Sequence, residues 1–198
     1  MIRAAIFDMD GLLVDSEPLW QEAELEVFGA LGVPITREGC VETRGLRADE
    51  VVALWNRRHP WAGPGEREVH ARLLEAMAAL LRARGRAMPG ALQAVESMRR
   101  RTGRLALASS SPMMLIDAVL DTLGVRGAFD VVHSAESEAY GKPHPAVFLS
   151  ARAARMACIA VPEAAQRHDP RFSIADRVLD SLLDLETVDW ASIEAAKR

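Results

Sequence analysis

The sequence predicts an α/β protein, a doubly wound parallel sheet interrupted by an all-helical insertion. Three observations lead there. A short apolar run, Ile2–Phe7, ends in a cluster of Asp and Gly, as a buried parallel strand does where it feeds a polar loop. Residues 16 to 85 then carry only helical periodicity. From residue 91 onward apolar strands alternate with helices, the signature of a sheet wound by crossover helices.

After the first strand, Asp15-Ser16-Glu17-Pro18 opens a helix. Ser16 is the expected N-cap, and Pro18 is tolerated in the first turn, where an N–H has no intrahelical partner anyway. Within the insertion, Leu19, Ala23, Glu26 and Val27 give one mixed face, and Val51, Val52, Leu54 and Trp55 another. Val69, Leu73, Ala76, Met77, Leu80 and Leu81 give the clearest apolar stripe, at spacings of three and four. Gly29, Gly32-Val33-Pro34 and the Pro/Gly-rich stretch 60–65 separate these helices. Ala91–Arg101 reads as a helix stopped near Gly103, Arg104–Ala108 as a strand running into Ser109-Ser110-Ser111-Pro112, and Met113–Leu123 as a helix closed by Gly124. Asp130–His133 reads as a strand, His144–Met156 as a helix and Ala157–Val161 as a strand. Pro162–Pro170 reads as loop, Asp176–Leu179 as an edge strand and Ser181–Lys197 as a helix. The expected organisation is a core of residues 1–15 and 86–198 with a helical domain, residues 16–85, inserted into it.

Composition narrows the function classes. A length of 198 residues suits one domain carrying a smaller inserted one, and 49% hydrophobic residues exclude wholesale disorder. A net charge of −4 with 5% aromatic residues argues against wrapping or stacking on a nucleic acid. Cys40 and Cys158 fit neither a metal spacing nor a disulfide scaffold, as expected of a protein kept in a reducing cytoplasm. Asp8 and Asp10 arrive too early for a signal peptide, and no apolar run approaches a membrane span. The expectation is a cytoplasmic monomer that acts on a small molecule, with no nucleic-acid or membrane partner.

Ligands of open α/β sheets sit beyond the carboxyl ends of the strands. Three polar groups fall there: Asp8-Met9-Asp10-Gly11, Ser109, and Lys142 in the loop before the next helix. A carboxylate can attack phosphorus to form an acyl-phosphate, a second carboxyl group can serve as acid and then base, and a hydroxyl and an ammonium can hold phosphate oxygens. Gly11 lets the chain turn sharply enough for both carboxylates to approach one phosphate. Taken singly, each has a plainer reading. The Asp pair can be a solvated turn, Ser109 a helix cap, and Lys142 a surface lysine. Two other families pair carboxylates in this way. A phospho-accepting receiver domain does not place a helical insertion directly after its first strand, and a glycosyltransferase with an Asp-x-Asp metal site needs a nucleotide-sugar pocket that nothing else here suggests.

The motifs Asp8-Met9-Asp10-Gly11-Leu12-Leu13-Val14-Asp15-Ser16, Ala108-Ser109-Ser110-Ser111-Pro112 and Gly141-Lys142-Pro143-His144-Pro145, in that order, resemble motifs one to three of the haloacid-dehalogenase superfamily. Within it the chain resembles the beta-phosphoglucomutase-like branch, which carries a helical cap after motif one. Thr43-Arg44-Gly45-Leu46-Arg47, Leu54–Trp61 and Asp169-Pro170-Arg171-Phe172 are most similar to the 2-deoxyglucose-6-phosphatase and hexitol-phosphatase type. The resemblance implies a Rossmann-like core and Mg²⁺-dependent hydrolysis of a sugar or sugar-alcohol phosphate. Asp8 is then the nucleophile and Asp10 the general acid/base, and both are metal ligands, Asp10 through its backbone carbonyl. It implies Ser109 and Lys142 on the transferring phosphoryl group, and Trp20, Gly45 and Arg47 of the cap facing the sugar. A sugar phosphomutase would use the same chemistry.

The chain departs from the family at motif four. The resemblance implies a further strand ending in an acidic pair that ligates Mg²⁺, followed by a helix. Here His144–Ser150 joins Ala151–Met156 directly, and no Asp or Glu occurs between Lys142 and Glu163. One strand–helix unit is therefore expected to be missing, and with it part of the metal site. That leaves open a catalytically impaired member that binds phosphate or a partner. One substitute is available: if 157–161 slides into the vacant strand position, Glu163 falls at its carboxyl end.

Overall fold

A computed structural model describes residues 2–136, 154–167 and 169–196. The chain forms a parallel sheet in the order β1 (Ala5–Phe7), β2 (Leu105–Ser109), β3 (Val131–Ser134), with Phe7 opposite Leu107 and Ser109 opposite Ser134. All three strands point their carboxyl ends the same way, which brings Asp8, Ser109 and Ser134 to one edge. Buried and half-exposed residues alternate along β2, so Leu105, Leu107 and Ser109 share a face.

Between β1 and β2 lie five helices: α1 (Glu17–Ala30), α2 (Arg37–Glu42), α3 (Ala48–Arg58), α4 (Glu66–Arg84) and α5 (Ala91–Thr102). α4 packs on α1 and α3, and it also packs on α6 (Met113–Leu123), which tethers the helical block to the sheet layer. Val69, Leu73, Leu74, Met77, Ala78 and Leu81 are the buried stripe of α4. Phe28 is fully buried at the centre of the block and meets Trp55 and Trp61 at centroid distances of 6.2 and 6.1 Å. Trp55 thus anchors α3, and Trp61, whose indole N–H donates to the Pro64 carbonyl, anchors the loop before α4. The chain enters and leaves the block side by side. The Asp15 N–H donates to the Arg86 carbonyl at 2.9 Å, the Met88 N–H donates to the Leu13 carbonyl at 2.9 Å, and Val14 bridges Ala87 antiparallel.

α5 stops at Gly103 and α6 at Gly124, both in the left-handed region, as their positions in the sequence predict. Gly90 has a different role. A Cβ there would lie 2.6 Å from the Leu183 nitrogen, so glycine lets the 3₁₀ turn Leu182–Thr187 dock on the start of α5.

Three local expectations need correction, and a fourth falls mostly outside the described residues. Ser16 occupies the N-cap position of α1, but its φ and ψ are already helical and its hydroxyl makes no cap bond. The strand expected at 157–161 is only β4 (Ile159–Ala160), and it pairs with β5 (Arg177–Val178) in a separate two-stranded sheet. The loop before β5 fixes this choice. The Cys158 N–H donates to the Asp176 carboxylate at 2.8 Å, and the Asp176 N–H returns to the Cys158 carbonyl at 2.8 Å. The segment has therefore not slid in beside β1, whose Ile6 stays 51% exposed. An apolar cavity of about 680 Å³, lined by Ile6, Ala157, Ile159, Leu182 and Trp190 among others, separates the two sheets. The helix expected over 144–156 lies outside the described residues except for 154–156, which are turn and coil, with Arg155 at φ +55°. The helix expected over 181–197 is split into the 3₁₀ turn and α7 (Trp190–Ala196), because the Asp189 carboxylate accepts the Ser192 N–H and starts a new helix. Among the described residues no helix is long and apolar enough to cross a membrane.

Candidate active site

The turn after β1 is built around Met9, which is completely buried. Its carbonyl accepts the N–H groups of Leu12, Leu13 and Val14 at 3.2, 2.8 and 3.3 Å. The turn closes because Gly11 adopts φ +70°, where a side chain is strained. With Met9 pinned inward, Asp8 and Asp10 flank it at the sheet edge. Asp8 Oδ1 accepts the Met9 N–H at 2.8 Å, which fixes the carboxylate's rotamer.

Asp10 is held from β2. Its Oδ2 accepts the Ser111 hydroxyl at 2.7 Å and the Ser109 hydroxyl at 3.3 Å. Ser109 Oγ in turn accepts the Ser111 N–H at 3.0 Å, so the serine run folds back on itself in a tight turn. Ser134 at the end of β3 braces this turn by donating to the Ser111 carbonyl at 2.8 Å. Two hydroxyl donors on one oxygen orient that carboxyl group and leave its other oxygen directed elsewhere.

Asp8, Asp10 and Gly11 share a cavity of about 550 Å³ with Trp20, Gly45 and Arg47 from the helical block. Ser109, 3% exposed, sits against this cavity through its bond to Asp10. Lys142 lies outside the described residues. Arg47 starts α3, where its N–H donates to the Glu50 carboxylate at 2.9 Å. Its guanidinium reaches across to the carbonyl of Glu136, after β3, at 3.0 Å. A second arginine also crosses. Arg44 pairs with Glu17 at the start of α1 and with Glu163 after β4, both at 2.8 Å. Arg47 thus joins the helical block to the loop after β3 and Arg44 joins it to the loop after β4, and Arg44, Arg47 and Glu163 line the cavity with the two aspartates.

Three further residues of the cavity lacked a sequence signal strong enough to single them out: Ser111, Glu24 and Thr43. The triple-serine run was the available hint for Ser111. Glu24 is a carboxyl group only 6% exposed, and it accepts the Thr43 hydroxyl at 3.2 Å. Burial pushes it up to about 7, only partly offset by the hydrogen bonds from Thr43 and Cys40. An acid raised in the folded state adds stability that is intact below its unfolded value and is lost as pH rises through the folded one. Between pH 4.5 and 8, the stability of Glu24→Gln relative to wild type is therefore expected to rise by about 3 kcal/mol. Denaturant unfolding of both proteins at the two pH values measures it, and equal differences at both would contradict the assignment.

The superfamily implies a Mg²⁺ site. Mg²⁺ takes one or two carboxylates together with phosphate oxygens and waters, and the oxygen donors of Asp8 and Asp10 fit that set. Among the described residues no third His, Cys, Asp or Glu joins them in a metal-holding group. Glu163 does line the same cavity, but its carboxylate is engaged by Arg44.

Comparison with known proteins identifies the family of the chain. A family described as haloacid dehalogenase-like hydrolase matches residues 2–154. Hexitol phosphatase B of Escherichia coli K12 is 40% identical over 213 positions, covering 95% of this chain and 96% of that protein. Those 213 positions exceed the whole of this 198-residue chain, so the relative carries residues that this chain lacks. The crystal structure of CbbY from Rhodobacter sphaeroides in complex with phosphate superposes with a TM-score of 0.80 at 28% identity, covering 93% of this chain and 96% of that one. The beta-phosphoglucomutase of Clostridium difficile shares the fold, with a TM-score of 0.70 at 20% identity, covering 100% of this chain and 97% of that one.

Proposed function

Because the chain belongs to the haloacid dehalogenase-like hydrolases and is a phosphomonoesterase of their sugar-phosphatase group, we propose that it hydrolyses the phosphate ester of a small sugar or sugar alcohol through an aspartyl-phosphate on Asp8. The observation that supports this most is the setting of the aspartate pair. Asp8 and Asp10 flank a buried methionine at the sheet edge, Asp8 with its carboxylate on the Met9 N–H and Asp10 with its carboxylate on two serine hydroxyls. Two carboxylates held side by side at one strand end suit a nucleophile and an acid/base.

In the first step Asp8 attacks phosphorus. The new bond joins a carboxylate oxygen to phosphorus, the ester P–O bond breaks, and Asp10 delivers its proton to the leaving sugar oxygen. In the second step Asp10, now ionised, takes a proton from water. The water attacks phosphorus, and Asp8 and inorganic phosphate are released. Ser109, together with Lys142, holds phosphoryl oxygens in this reading. The helical segment 16–85 is the cap, and Trp20, Gly45 and Arg47 meet the sugar. Closing such a lid excludes bulk water from the acyl-phosphate. Asp8 and the Asp10 carbonyl would hold Mg²⁺, which when bound offsets the phosphate's charge.

A panel of sugar and sugar-alcohol phosphates, assayed for phosphate release with Mg²⁺ and with chelator, tests the reading. Metal-dependent release from at least one hexose or hexitol phosphate is expected, and no release from any would overturn it.

The shortened core bears on metal affinity. Disturbing even the outer shell of a metal site costs roughly ten- to a hundredfold in affinity or activity. Inserting an acidic strand–helix unit between Ser150 and Ala151 is expected to tighten Mg²⁺ binding by at least that factor, whereas Glu163→Gln changes it little, because Arg44 already occupies that carboxylate. Metal titration of the three proteins checks both statements, and a large loss in Glu163→Gln would make Glu163 a ligand. The same thin metal site favours a second reading, a member that retains phosphate binding but turns over slowly. Phosphate binding without release in the panel would select it.

A further inference from the structure

Glu24 is the one charged side chain among the buried polar residues described, the others being Ser16, Thr43, Ser109 and Ser134. Its position is on the second turn of α1, one helical turn beyond Trp20, so the two share a face. That face looks into the cavity holding Asp8 and Asp10, and Trp20, Gln21 and Glu24 all line it.

The groups around Glu24 do not account for a buried carboxyl. Thr43 is its hydroxyl donor, yet the single proton of that hydroxyl is shared with the Cys40 carbonyl, 2.9 Å away. Cys40 adds only a thiol. Among the described residues no ion pair includes Glu24. The nearby Arg44 turns instead to Glu17 and Glu163, and Gln21 donates to Glu17 at 3.2 Å. A carboxyl group has acceptor positions for about four donors, so with Thr43 and Cys40 as its donors about half the capacity of Glu24 is left, on a side chain that lines the cavity. A helical block of this kind is held by apolar packing. A leucine at this position would cost nothing in helix propensity and would remove the burden of burying a carboxyl.

We propose that Glu24 is the residue that selects a hydroxylated carbon chain, its carboxyl group accepting a hydroxyl of the sugar or sugar alcohol while Trp20 packs against the chain's carbon face. The assignment rests on the sugar-phosphatase reading and deepens it. Sites built to hydrogen-bond a substrate hydroxyl reject analogues lacking it far more strongly than apolar pockets discriminate by size, because the buried acceptor is then left unpaired. Glu24 thus favours polyhydroxylated esters over deoxy and aryl esters, without touching phosphorus.

The test measures kcat/KM for a hexitol phosphate, for a sugar phosphate and its 2-deoxy analogue, and for p-nitrophenyl phosphate, in wild type, Glu24→Leu and Glu24→Gln. In Glu24→Leu the ratio of hexitol-phosphate to aryl-phosphate kcat/KM is expected to fall by roughly a hundredfold, chiefly through KM. The preference for the hydroxylated sugar over its deoxy analogue is expected to shrink toward unity when the hydroxyl tested is the one Glu24 receives. Glu24→Gln, which keeps a carbonyl acceptor and the side chain's shape, should recover much of the ratio. Unlike the leucine variant, it also keeps a hydrogen-bonding partner for Thr43 if packing proves sensitive. Parallel losses on every substrate in both variants would reduce Glu24 to a structural group and overturn the inference while leaving the phosphatase reading intact. Wild-type protein that turns over none of the sugar or hexitol phosphates would overturn both.

Discussion

Replacing Asp8 with alanine is expected to abolish turnover of every phosphate ester, good and poor leaving groups alike. The residue stands immediately after β1, and its carboxylate is oriented by the Met9 N–H at 2.8 Å. If it forms the covalent bond to phosphorus, nothing else among the described residues can replace it. Asp10 is held by the Ser109 and Ser111 hydroxyls in the acid/base position, and Glu163 is paired with Arg44. Removal of a nucleophile in other covalent hydrolases costs on the order of a millionfold in kcat, so a loss of at least about ten-thousandfold is expected here. Asp8→Asn keeps the shape and the Met9 contact while deleting the anion, and it should lose nearly as much. Initial rates on p-nitrophenyl phosphate and on the best sugar phosphate measure both variants. Either one retaining wild-type activity would remove Asp8 from the chemistry.

Asp10→Asn is expected to separate substrates by leaving group. A sugar alkoxide needs a proton as it departs, whereas an aryl oxide with a low pKa does not. General acid catalysis contributes typically a hundred- to ten-thousandfold. The first step, read as the transient release of leaving group, should therefore slow by about a thousandfold for a sugar phosphate and by under about tenfold for p-nitrophenyl phosphate. The second step should slow for both, because water activation depends on the same carboxylate. The asparagine Oδ1 can still accept the Ser111 and Ser109 hydroxyls, so the turn after β2 is preserved. Equal losses on both substrates in the first step would restrict Asp10 to positioning.

Much of this site is legible in the sequence because its parts are local. An apolar strand that stops at Asp-x-Asp-Gly declares a strand-end turn, and Gly11 at φ +70° is the residue that such a turn requires. Ser109 follows a second apolar strand, and the parallel register that pairs Phe7 with Leu107 brings the two strand ends together. The helix boundaries at Gly103 and Gly124 are likewise chemical signals. What the sequence hides depends on distant partners. Glu24 reads as an ordinary polar position of an amphipathic helix. It is buried only because α2 lays Cys40 and Thr43 over that face. Ser111 reads as one of three serines, and its contact with Asp10 depends on a turn braced by Ser134. The pairing of β4 with β5 involves two residues on each side, too few to carry a period, and is settled by the Cys158–Asp176 loop bonds. The break before α7 was readable, since Asp189 stands where an N-cap belongs, but the apolar spacing across it resembles one long helix.

The account turns on a covalent phosphoryl group on Asp8. Wild-type protein mixed with a ³²P-labelled sugar or hexitol phosphate and Mg²⁺, then quenched in acid within milliseconds, should carry label that hydroxylamine removes. Peptide mapping should place that label at Asp8, and Asp8→Asn should carry none. Steady release of labelled phosphate with no label on the protein at any quench time, or label retained in Asp8→Asn, would contradict the account.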